Sequence, residues 1–192
     1  MDHSEAYTRV LNAAEELFYE RGVQAVGMDA IRARCGVSLK RLYQSFTSKE
    51  HLVVEYLRRR DQRWREALMS FADQRSEPAD RVTAVFDWLH EWFREPGFRG
   101  CAFINSFGEL SATSPAVADI ARHHKDELKR YLTALVEPLA VDEPLAVAEQ
   151  LLLLIDGAIV SASITQNPDA AHGARAAAES LLTAAAGAQR AH

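Results

Sequence analysis

Residues 36–52, GVSLKRLYQSFTSKEHL, hold seven side chains with the chemistry to meet a nucleic-acid duplex: Ser38, Leu39, Lys40, Arg41, Tyr43, Gln44 and Lys49. Arginine and lysine donate to guanine edges or phosphate oxygens, glutamine pairs with adenine, and hydroxyls donate to phosphate. These groups act together only if one short element presents them, because a major groove about 12 Å wide admits a single helix. Gly36 permits the left-handed backbone that leaves a helix sharply, Val37 plugs the corner, and Ser38 caps a following helix that turns Leu42 and Phe46 inward. A short helix from about Met28 to Cys35 precedes the turn, with Met28, Ile31 and Cys35 on one face. Helix, glycine turn and a second helix with a basic first turn describe a helix-turn-helix. Thr47-Ser48-Lys49-Glu50 predicts a capping box, Thr47 as the cap and Glu50 reaching back, and the helix start adds partial positive charge to Lys49.

Charge is distributed to match. The net charge is −5, yet residues 32–60 carry eight Lys and Arg against two Asp and Glu, a local +6 on an acidic body. Arg58-Arg59-Arg60 cannot face one duplex together, since successive helical residues point about 100° apart. A solvated face or packing against the first helices is expected for them. Cys35 and Cys101 have no partner at metal or redox spacing, which fits a reducing cytosol. The N-terminus lacks a basic segment followed by an apolar one, so no signal peptide is expected. The most apolar run, Leu151 to Ile164, contains Asp156 and is shorter than the ~20 residues of a membrane span, so no membrane is expected either.

The elements that must position the basic stretch are helices; strand signals are nearly absent. An apolar stripe through Tyr7, Val10, Leu11, Ala14, Leu17 and Phe18 marks the first helix, which Gly22 ends. A long fourth helix runs through Leu52, Tyr56, Leu57, Trp64, Leu68 and Phe71 into the polar DQRSEPAD. Five more follow, the sixth over about Ala102 to Ala112, with Pro115, Pro144 and Pro168 opening the seventh, eighth and ninth. The expected class is all-α, about nine helices, an N-terminal three-helix helix-turn-helix domain over residues 1–50 and a larger helical domain over 51–192.

Residues 4–52 resemble the TetR family of transcriptional regulators. The family pattern is met by Ile31, Gly36-Val37-Ser38, Leu42-Tyr43, Phe46, Ser48-Lys49-Glu50 and Leu52. Cys35 stands where the family usually has Ala. Gly27 replaces a frequent Ser or Thr, which removes a phosphate contact. Arg41 and Leu39 replace residues often Thr or polar, so base preference does not transfer. The resemblance implies a cytoplasmic homodimer joined by its last two helices, bound to a palindromic double-stranded operator, with repression relieved by a small-molecule effector. It implies no enzyme activity and no cofactor. The rival readings are an all-helical enzyme, or an adaptor with a vestigial helix-turn-helix.

Candidate effector-binding residues are the aromatic Phe86, Trp88, Trp92, Phe103 and Phe107 with the polar Asn105, Glu109 and Asp156, a mixture typical of small-molecule pockets. Plain core packing is the alternative for the aromatic stripe, and for Asn105 and Glu109, four apart, a hydrogen bond to each other or the capping of a neighbouring helix. GCAFINSFGEL, residues 100–110, resembles a stretch in one branch of the family, without an assigned role. Asp119, His123 and Glu127 recur at a spacing that a metal could use, but a solvated face is the preferred reading and no metal is expected. Cys101 is a redox candidate only if exposed.

Overall fold

The computed structural model describes residues 2–188. Among them are nine α-helices: α1 (His3–Arg21), α2 (Met28–Cys35), α3 (Leu39–Ser45), α4 (Lys49–Ala72), α5 (Pro78–Phe93), α6 (Ala102–Leu110), α7 (Pro115–Val136), α8 (Pro144–Thr165) and α9 (Ala170–Ala188). A 3₁₀ turn at Glu137–Leu139 is the remaining element, and no described residue forms a strand, as the all-α expectation required. The chain packs as two compact units. One holds the residues up to Arg63 together with Cys101–His124; the other holds Trp64–Gly100 together with Lys125 onward.

In the first unit α1 starts where the Asp2 carboxylate accepts the Glu5 N–H at 2.7 Å, and it ends at Gly22 with φ 86°. Its buried Val10, Leu11, Ala14, Leu17 and Phe18 form the surface on which α2 and α3 pack. Tyr7 stacks on Phe46 with ring centroids 4.6 Å apart, and Phe18 meets Tyr56 of α4 at 5.7 Å. The arginine triplet divides its work. Arg59 donates to Glu15 at 2.5 Å and to the Leu11 carbonyl at 3.0 Å, the Arg60 guanidinium lies 3.8 Å over the Tyr19 ring, and Arg58 pairs with Glu55 at 2.6 Å. Packing against the first helices is therefore the role of Arg59 and Arg60. α6 and the first turns of α7 complete this unit, where buried His124 lies 2.6 Å from buried Asp61 and stacks on Phe103 at 3.8 Å.

In the second unit α5, α8 and α9 pack on one another. α5 contributes Val82, Val85, Phe86 and Leu89; α8 contributes Val147, Leu151, Ile155 and Ile159 at spacings of four. α9 presents the small Ala171 and Ala178, two turns apart, which lets helices approach closely. α8 begins at Pro144, ahead of Glu149 and Gln150, making a 22-residue helix that by length and composition alone could cross a bilayer. Its Asp156 is charge-paired with Lys125 of α7.

Three local expectations change. The cap of α4 is Ser48, whose Oγ accepts the His51 N–H at 3.0 Å, because the helix begins one residue later than a Thr47 cap requires. Glu50 consequently does not close the box and instead accepts a hydrogen bond from Ser114 Oγ, the cap of α7. α6 stops at Leu110, and α9 starts at Ala170, two residues beyond Pro168, with Asn167 Oδ1 accepting the Asp169 N–H at 3.0 Å.

Burial raises the Tyr56 phenol well above its ordinary range, and burial followed by the Asp73 charge and hydrogen bond does the same for Tyr131. Both phenols are held protonated in the folded state. Their contribution to stability is intact below the unfolded phenol value of about 10 and is lost as pH rises beyond it. Denaturant midpoints measured against pH are expected to fall above that value, with a shallower fall in Tyr131→Phe.

Candidate nucleic-acid interface

α3 is seven residues long, and its sides differ sharply. Leu42 and Phe46 are fully buried, while Leu39, Lys40, Arg41, Tyr43 and Gln44 are exposed, Leu39 and Tyr43 at 44% each. An apolar side chain and a tyrosine so open to solvent are what a groove-facing surface needs and what a folded interior does not. The turn behind them has the expected geometry: Gly36 is left-handed at φ 66°, Val37 is buried, and Ser38 Oγ accepts the Arg41 N–H at 3.4 Å. All seven sequence-predicted contact residues thus lie on α3, its cap, or the start of α4.

Lys49 opens α4 and is half-buried. Burial lowers the pKa of its ammonium, and the nearby Glu109 carboxylate of α6 opposes that shift. Glu109 also accepts the Gln24 N–H at 2.6 Å, and its carbonyl accepts from Gln24 Nε2 at 2.5 Å. Both bonds tie Glu109 of α6 to the α1–α2 turn. Gly22 makes room for it: a Cβ there would stand 3.0 Å from Glu109 Oε1.

The effector candidates fall into two sets. In the first unit Phe103 is buried against His124, Phe107 is 41% exposed, and Asn105 and Glu109 border a cavity of about 100 Å³ with Phe18, Tyr19, Tyr56 and Ser106. In the second unit Phe86 is core, Trp88 and Trp92 stack at 5.6 Å, and Trp64 packs edge-on against both. Asp156 is occupied by Lys125. Sequence reasoning missed a groove of about 560 Å³ in the first unit, bordered by Val54, Arg58, Asp61, Asp119, Ile120 and His123. Asp119 pairs with Arg122 at 2.5 Å, and Glu127 with Arg65 at 3.5 Å, so two members of the metal-spaced set have cationic partners. Cys101 is buried, which removes the exposure a redox role needs.

Residues 10–56 match the family model of bacterial regulatory proteins of the tetR family, and residues 78–178 match the tetracyclin repressor-like C-terminal domain. The chain belongs to the TetR family of transcriptional regulators. Among relatives, the transcriptional activator FasR of Mycolicibacterium smegmatis is 40% identical over 85 residues, 42% of this chain and 39% of that protein. The regulator YjdC of Escherichia coli is 24% identical over 176 residues, 90% and 91% of the two chains. A crystal structure of a TetR-family regulator from Streptomyces coelicolor superposes with a TM-score of 0.87 and 29% identity, covering 95% of this chain and 97% of that one. The FasR match thus spans well under half of that relative.

For this TetR-family chain the Gly22–Glu109 contact makes a double-mutant test. Gly22→Ala is expected to cost about 1–2 kcal/mol, from the left-handed backbone and the close carboxylate. In a Glu109→Ala background the steric part disappears and the cost falls to the backbone part. Urea unfolding of the four proteins measures both.

Proposed function

We propose that this regulator is a cytoplasmic homodimeric repressor, without enzyme activity, released from a palindromic operator by a small-molecule effector. The observation that carries the DNA-binding part is the exposed face of Leu39, Lys40, Arg41, Tyr43 and Gln44 on a buried apolar floor, with Lys49 alongside. On this reading α3 and its Ser38 cap enter the major groove, Lys40 and Arg41 reach base edges and phosphates, and Tyr43 and Lys49 fix the phosphate register. Residues 1–50 do this work, and residues 51–192 bind effector and partner.

Dimerisation through α8 and α9 is supported by the outer face of α8, where Leu145, Leu153, Val160 and Ile164 are 53%, 72%, 39% and 76% exposed. Isolated exposed leucines are ordinary, but four on one helix already buried along its other side ask for a cover. A second copy supplies it, and a palindromic operator requires two recognition helices roughly 34 Å apart or a multiple of that. The effector candidates that remain are Trp88 and Trp92 within the second unit and, separately, Phe103 within the first, because Glu109 and Asp156 already hold protein partners. Release requires the effector to favour the conformation that binds DNA poorly, typically by ~1–3 kcal/mol.

The first test is selection of genomic fragments by the purified protein at physiological salt with excess competitor DNA. Capture of a short palindrome supports the reading; weak binding erased by salt, from a folded dimer, rejects it. Lys49→Ala is expected to weaken all sequences alike and reduce the salt slope by about one phosphate, whereas Lys40→Ala changes base preference. Leu153→Glu with Ile164→Glu is expected to yield monomers by sedimentation and to lose operator affinity while keeping the helical spectrum.

A further inference from the structure

Outside the DNA-reading surface, three potential metal ligands converge where the end of α5 meets the start of α9. His90 Nε2 lies 3.6 Å from Asp169 Oδ1, His172 Nδ1 lies 3.3 Å from the same oxygen, and the three ligand atoms all fall within 4.8 Å of one another. With metal–ligand bonds of about 2.0–2.2 Å, a tetrahedral zinc site sets neighbouring ligand atoms about 3.4 Å apart, so two of the three edges are already close to that length. The geometry points to a site for one divalent transition metal of the zinc class, held by two imidazoles and one carboxylate with its remaining position open to water.

The surroundings favour a cation held this way. His90 is half-buried on α5, and the Glu91 carboxylate, 3.9 Å from its second ring nitrogen, adds negative charge beside the site. Asp169 is anchored by its N–H to Asn167. Two imidazoles with an oxygen donor suit zinc, nickel or cobalt and not magnesium or calcium, which want all-oxygen shells. The two rings now stack at 4.1 Å with a 24° tilt, so coordination requires one to swing until both planes meet the ion. His172, 55% exposed in the first turn of α9, has that freedom. One turn deeper, Arg175 lies 3.5 Å from Asp87 and 3.4 Å from Glu179, so the metal would be a second fastening between the same two helices. Such a site is independent of the DNA-binding reading.

The test uses the full, tag-free chain stripped of metal and titrated with Zn²⁺ by calorimetry and with Co²⁺ by its visible absorbance near neutral pH. One ion per chain with micromolar affinity is expected, uncompeted by Mg²⁺, together with a raised melting temperature. His90→Ala, His172→Ala and Asp169→Asn should each weaken binding at least tenfold, while His123→Ala leaves it unchanged. Circular dichroism checks that each variant folds; should the half-buried His90 not tolerate change, the two exposed positions carry the test. Absence of binding by the wild type, or binding that survives His172→Ala and Asp169→Asn, overturns the site.

Discussion

A seven-residue helix does not persist in water by itself, because nucleation fixes several residues for each early hydrogen bond and isolated helices shorter than about 12–15 residues are marginal. Everything proposed for the exposed face of α3 therefore depends on the burial of Leu42 and Phe46 beneath it. These two side chains orient the helix as well as stabilise it. With both held in an apolar floor shared with Tyr7 and α1, Leu39, Lys40, Tyr43 and Gln44 have only one direction to face.

The floor is itself held from two sides by charge. On one side Glu15 of α1 meets Arg59 at 2.5 Å, Arg63 at 3.2 Å and Arg60 at 3.8 Å, fastening α4 along α1. Glu15, Arg59 and Arg60 are each less than one-fifth exposed, so these pairs are screened less than surface ones. On the other side Glu109 receives the Gln24 N–H and lies close against Gly22, where a Cβ would stand 3.0 Å from its Oε1. The acidic residues that lower the overall charge thus include those that seat the helices behind the basic face.

α8 shows a different economy of sequence. Its apolar residues surround the helix, and packing divides them: Val147, Leu151, Ile155 and Ile159 go inward, while Leu145, Leu153, Val160 and Ile164 stay in solvent. Asp156, a costly residue in such a helix, is neutralised by Lys125.

The helix-turn-helix was legible in the sequence because its determinants are local. Gly36, Ser38, Leu42 and Phe46 act within one or two turns, and the element order and most helix ends followed from periodicity, glycine and proline. The cap of α4 was misplaced by one residue because both Thr47 and Ser48 can cap, and only the backbone path chooses between them. The destinations of Glu109, Asp156 and Glu50 were not legible, since each partner lies 31 to 85 residues away and nothing in the spacing of a carboxylate names a distant donor. The His90, Asp169 and His172 cluster was hidden for the same reason: Asp169 and His172 share a helix start, but His90 joins them only when α5 packs against α9. Short-range geometry is written in residue order, whereas long-range pairing is decided by which faces the core brings together.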